Sequence, residues 1–144
     1  MTLKRMDNVL IVVDDLEVTK AFFIALGLTF EGQTTVGGPA VGLLIGLPDV
    51  QATVAMLRTP DGQGIELDKF HTPDAIRFGP VASPVNTLGI RRIMFAVEDI
   101  DVVVASMREH GAEVIGEMRY ENSYRLAYLR GPEGIIVALA EKLG

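Results

Sequence analysis

A chain of 144 residues, 49% of them hydrophobic, suits one globular domain or one domain of two fused modules, and it excludes extensive disorder. A net charge of −6 and a pI near 4.8 leave no clustered basic surface for a nucleic-acid backbone. Cysteine is absent, which removes disulfides, thiolate nucleophiles and Cys-type zinc sites, and no apolar run is long enough for a signal-peptide core or a membrane span. The chain is therefore expected to be soluble and cytoplasmic.

In chain order, an alternating strand over Asp7 to Val13 comes first, with Val9, Ile11 and Val13 on one face and Asn8, Leu10 and Val12 on the other. An acidic turn, Asp14 and Asp15, then caps a helix that ends at Gly27, with Val18, Phe22 and Ala25 on its inner face. The run "GGPAVGLLIGLP", Gly37 to Pro48, reads as a loop or a loop with a short strand. Two further strands follow, divided by the "TPDG" turn, and the second sets Ile65 and Leu67 against Glu66 on the other face. A proline-rich linker beginning "TPDAIRFGPVASPVN" occupies residues 72–88.

The second half, 89–144, repeats the first. "VDDLEVTKAFFIALGLTFEG" from Val13 matches "VEDIDVVVASMREHGAEVIG" from Val97 at an offset of 84, and "RTPDGQGIELDKF" from Arg58 matches "RGPEGIIVALAEK" from Arg130 at an offset of 72. The first half therefore carries 12 extra residues, which lie between Gln33 and Asp49. The repeat predicts a strand over Ile90 to Val97, with Arg92 and Met94 facing away from the helix. Next comes a helix capped by Glu98 and Asp99 that ends at Gly111, with Val102, Val103, Ala105 and Met107 inward. Three more strands complete the half. One carries Tyr124, Leu126 and Tyr128 on a single face, and the last carries Ile135, Val137 and Leu139 opposite Ala138. The expected fold is α+β, two tandem βαβββ modules (1–71 and 89–144) whose mixed sheets curve around a common hollow.

The offsets pair Asn8 with Arg92 and Glu66 with Ala138, and such a hollow is the usual home of a ligand. The segments "MDNVLIVVDDLE", "RTPDGQGIELDKF", "GIRRIMFAVEDID" and "RGPEGIIVALAE" resemble the vicinal oxygen chelate superfamily of glyoxalases, bleomycin-resistance proteins and extradiol dioxygenases, over most of residues 1–144. The resemblance implies that the first and last strands of each module supply His or Glu ligands to one divalent metal ion. Carried over, the four positions are Asn8, Glu66, Arg92 and Ala138, so one ligand of the usual set survives. A catalytic metal needs about three protein donors. The expectation is thus no bound metal, with a divalent ion as the less favoured case.

What replaces the metal is readable in residue types. Arg92 and Glu66 could form a buried ion pair with Asn8 as a polar partner, or the guanidinium could receive the carboxylate or phosphate of a small molecule. Glu66 is the candidate general base; Asn8, Arg92, Met94, Met56, Tyr124 and Tyr128 are candidate ligand contacts. Tyrosines can offer an apolar wall and a hydroxyl, and thioethers suit irregular hollows. Arg58 and Arg130 read as structural, as do the capping carboxylates, and His71 and His110 align with no ligand position. The leading function is binding of a small acidic or polar organic molecule. The alternatives are a metal-dependent lyase, isomerase or dioxygenase and a non-catalytic interaction domain. The resemblance also implies a homodimer; no nucleic-acid or membrane partner is expected.

Overall fold

The computed structural model describes residues 2–144. It divides into two compact units, one running to Arg77 and the other from Phe78 to Gly144, each organised around its own sheet.

The first unit runs β1 (Asn8–Val12), α1 (Leu16–Leu26), β2 (Thr29–Gly37), α2 (Pro39–Ile45), β3 (Gln51–Arg58) and β4 (Gly64–Thr72). Its strand order is β1-β4-β3-β2, with β1 parallel to β4 and the other neighbours antiparallel. The second unit runs β5 (Arg92–Ala96), α3 (Ile100–Glu109), β6 (Glu113–Tyr120), β7 (Tyr124–Arg130), a 3-10 turn (Pro132–Gly134) and β8 (Ile136–Lys142). The order β5-β8-β7-β6 reproduces the first sheet strand for strand, again with a single parallel pair, β5 and β8. This is the expected α+β arrangement of two βαβββ modules. Residues 73–91 carry no helix or strand. No helix among the described residues is long and apolar enough to cross a membrane.

Equivalent residues close equivalent corners. Asp15 caps α1 by accepting from the Val18 amide, and Asp99 caps α3 by accepting from the Asp101 and Val102 amides. Gly27 ends α1 at φ 125°, which a side chain would resist. Arg58 donates through Nη1 to the Gly62 carbonyl and Arg130 through Nη1 to the Gly134 carbonyl, each at 3.1 Å, so both arginines staple their own turns. Arg58 also donates through Nε to Glu31 at 2.7 Å. A β-bulge interrupts both outer pairs at matching places, between Phe30 and Gly32 and between Val114 and Gly116.

Three expectations are corrected. The extra residues of the first half form a helix, α2, rather than a loop or strand; Pro39 at its first turn presets φ, and Gly46 in the left-handed region stops it. The inner face of α1 is Leu16, Thr19, Phe22 and Phe23, while Val18 is 51% exposed. Thr19 is tolerated in the core because its hydroxyl donates back to the Asp15 carbonyl at 2.8 Å. The inner face of α3 is Ile100, Val104 and Met107, with Val103 half-buried and Val102 and Ala105 exposed. In each unit the helix covers the odd-numbered face of its first and last strands: Val13, Ile65 and Leu67 are buried in one, Val137 and Leu139 in the other.

Candidate functional site

The face of each sheet turned away from its helix carries the residues of interest, as alternation and register dictate. In the first unit the register sets Leu10 beside Glu66 and Val12 beside Asp68 from β1, and Met56 beside Glu66 and Val54 beside Asp68 from β3. Asn8 lies one pair further along, next to Gly64. A Cβ at Gly64 would stand 2.9 Å from the Asp7 carbonyl, so the close approach of β4 to the start of β1 requires glycine. The Asn8 amide is turned to its neighbour, Nδ2 donating to Asp7 at 3.2 Å.

Two carboxyls therefore share one face of β4. Glu66 is half-buried, whereas Asp68 is only 7% exposed. Burial pushes the Asp68 carboxyl up from 3.8 to about 7, helped by a hydrogen bond to the Glu66 carboxyl and by that group's negative charge. Its Oδ1 is buried without a hydrogen-bond partner among the described residues. Asp68 escaped the sequence reading, which stopped at the aligned ligand position. The signal was present in "IELDK": two carboxylates spaced by two on a strand must face the same way. At the offset of 72, Asp68 falls on Ala140.

In the second unit, Arg92, Met94 and Ala96 of β5 share a face with Ile136, Ala138 and Ala140 of β8 and with Tyr124, Leu126 and Tyr128 of β7. Ala138 is fully buried, with Met94 beside it on one strand and Tyr128 on the other. The Arg92 guanidinium carbon lies 5.8 Å from the centre of the Tyr128 ring, within cation–π range. Among the described residues of β5, β7 and β8, none forms an ion pair with it. Tyr124 is partly exposed and stands opposite Tyr120 across the turn that separates β6 from β7. Sheet pairing thus brings Asn8, Met56 and Glu66 together in the first unit, and Arg92, Met94, Tyr124, Tyr128 and Ala138 in the second.

The donor set does not fit a divalent metal. Of the four aligned positions, Asn8 offers only a neutral amide oxygen, a weak donor, while its Nδ2 donates to Asp7; Arg92 is cationic and lies over Tyr128, and Ala138 is a buried methyl group. Among the described residues no three His, Asp or Glu side chains gather in a way that could hold a cation. The histidines are engaged elsewhere: His71 shares a 2.8 Å hydrogen bond with the Thr53 hydroxyl, and His110 Nδ1 lies 2.9 Å from the Ser106 carbonyl.

Solved structures carry the same fold. A glyoxalase family protein from Bacillus cereus is 49% identical, with a TM-score of 0.94 over 100% of this chain and 97% of that one. The trypanothione-dependent glyoxalase I of Leishmania major is 20% identical (TM-score 0.68, 96% and 87% covered). The fosfomycin resistance protein FosX of Listeria monocytogenes, solved with Mn(II) and a dihydroxypropylphosphonic acid, is 13% identical (TM-score 0.62, 96% and 90% covered). At those two levels of identity the likeness concerns the fold. The curated proteins give no match. The family model for the glyoxalase/bleomycin resistance protein/dioxygenase superfamily matches residues 7–128, and the chain belongs to that superfamily.

Proposed function

We propose that the protein binds a small organic anion, a carboxylate or phosphate, and does so without the metal ion that the superfamily's metal-using members hold. The observation that carries this reading is Arg92. A guanidinium stands where a metal-using member has a ligand, poised over Tyr128 and free of any carboxylate from its own sheet. A planar fork of N–H donors held against an aromatic ring is pre-organised for a bidentate oxyanion, and the ring lowers the cost of ordering the long side chain. Met94 and the exposed edge of Tyr124 supply an apolar and partly polar wall for the organic portion. Met56 beside Glu66 gives the first sheet a similar wall, with Asn8 at its end. On the first sheet Glu66 is a group able to take up a proton, and turnover lost in Glu66→Gln would mark the protein as an enzyme rather than a sequestering one.

The test begins with elemental analysis of protein purified without tag or chelator, then titration with Zn²⁺, Mn²⁺, Ni²⁺ and Fe²⁺. No stoichiometric metal is expected. A panel of organic acids and phosphates is then screened by calorimetry against wild type and Arg92→Met. The substitution is expected to weaken the acidic ligands by about tenfold or more, the scale of one lost charge-assisted bond. Stoichiometric metal that disappears in Glu66→Ala, or acidic ligands indifferent to Arg92→Met, would overturn the proposal.

A further inference from the structure

The face of the second sheet that carries Arg92 ends in a second cation. Lys142, the last residue of β8, lies an even number of residues from Ala138 and so projects from the same face, opposite Tyr124 on β7. We infer that this face is a two-ended site for an elongated organic dianion, Lys142 receiving the second acidic group of a molecule whose first sits on Arg92. The inference rests on the Arg92 reading above and deepens it by naming the length and charge of the ligand.

Arg92 is paired with Ile136, and Lys142 stands six residues further along β8, about 20 Å at the rise of an extended strand. The Arg92 guanidinium meets Tyr128, whose partner Ala138 lies four residues from Lys142, about 14 Å, and the flexible lysine stem shortens that gap. The side chains between are apolar: Met94 and Ala96 on β5, Ala138 and Ala140 on β8, Leu126 on β7. Two alanines in succession make β8 the low line of the face, bordered by Met94 on one side and by Leu126 and Tyr128 on the other.

No acidic side chain of β5, β7 or β8 faces this way. Glu141 belongs to the opposite face, where its carboxylate accepts from the Ile100 amide at 2.8 Å. Lys142 forms no ion pair among the described residues. Two cations on one acid-free face of a chain with more acids than bases, 19 against 13, give that face a sign opposite to the molecule's. Lys142 is held in register rather than on a frayed end, because the Leu143 amide after it donates to the Ser123 carbonyl at 2.8 Å. The repeat does not account for it, since at the offset of 72 it falls on Phe70.

The ligand class follows from this layout. A monoanion satisfies Arg92 alone, and a short diacid cannot span to Lys142. A long diacid satisfies both cations and lays its apolar body along the alanine line, with Tyr124 beside its second acidic group.

Calorimetry with succinate, suberate and dodecanedioate, and with octanoate and dodecanoate as matched monoacids, tests this on wild type, Arg92→Met, Lys142→Met and Ala140→Leu. Lys142→Met should weaken suberate or dodecanedioate by about threefold or more, the scale of one solvated charge contact, and leave succinate and the monoacids unchanged. Ala140→Leu, which raises the low line, should weaken the long acids and spare succinate. Arg92→Met should weaken all five. Lys142 is exposed, so its replacement leaves the core intact. Long diacids indifferent to Lys142→Met, or monoacids weakened as much, overturn the two-ended site and leave the anion reading at Arg92 standing. No saturable binding of either long diacid overturns the two-ended site as well. Acids indifferent to Arg92→Met overturn both.

Discussion

The two units are built to one plan and differ where it matters chemically. On the face turned away from its helix, β4 presents Glu66 and Asp68, while β8 presents Ala138 and Ala140 at the same offsets. On the strand paired to each, Asn8 and Leu10 answer to Arg92 and Met94; on the third strand, Met56 answers to Tyr128. The core-facing positions diverge far less, since Ile65 and Leu67 stand opposite Val137 and Leu139, all of them buried. Packing tolerates only apolar side chains of similar volume, so the inner face preserves the repeat. The outer face was free to become acidic in one copy and cationic and aromatic in the other.

The comparison can be broken most forcefully at the core. Leu67→Ala and Leu139→Ala each remove a fully buried side chain at the same place in the plan, and each is expected to cost roughly 2–5 kcal/mol in chemical denaturation. A large inequality between them would show that the units do not support their sheets alike. Next in size is Ala138→Glu, which restores a carboxylate at a position walled by Met94 and Tyr128. It should destabilise by about 3 kcal/mol, unless Arg92 swings to pair with it, and should confer no metal binding by elemental analysis.

A third test concerns pH. Because folded Asp68 keeps its proton up to about 7 while the unfolded chain loses it near the ordinary value, the native state binds more protons between those limits. Stability from this group is therefore fully present below about pH 4 and is lost as pH rises through about 7. Asp68→Asn should gain on the wild type across that window at up to about 1.4 kcal/mol per pH unit, read from urea melts at pH 4, 6 and 8. The smallest effect is at the caps. Asp15→Ala and Asp99→Ala should each cost about 1 kcal/mol, read from urea melts.

What the sequence made readable follows from the same division of labour. The offsets of 84 and 72 exposed the tandem modules because turn glycines, capping acids and core positions recur under backbone and packing constraints. Strand alternation sorted Glu66, Arg92, Met94, Tyr124, Tyr128 and Ala138 onto the correct faces for the same reason. The helix α2 stayed hidden: Gly38, Gly42 and Gly46 read as breakers, and an all-apolar run has no polar face to reveal a period. Val18 and Val102 were placed inward because a hydrophobic count cannot anticipate Thr19 turning its hydroxyl to the backbone, or choose among four successive apolar residues from Val102 to Ala105. Asp68 was passed over because the aligned ligand position draws attention to Glu66 alone, whereas a spacing of two on a strand sets a second carboxyl on the same face.

The parallel pairing of each module's first strand with its last has a consequence for how the molecule is made. β1 cannot complete its hydrogen bonding until β4 exists, nor β5 until β8 exists, so neither sheet can grow hairpin by hairpin in chain order. The antiparallel meander of each module can zip locally, but the closing step joins distant segments and carries the loop-closure entropy of everything between them. During synthesis the first sheet can close as soon as residues up to Thr72 are free, well before the second. The second sheet waits for Ile136–Lys142. Until those residues arrive, Arg92 and Met94 sit on a strand with no partner, an open edge that other chains could pair with.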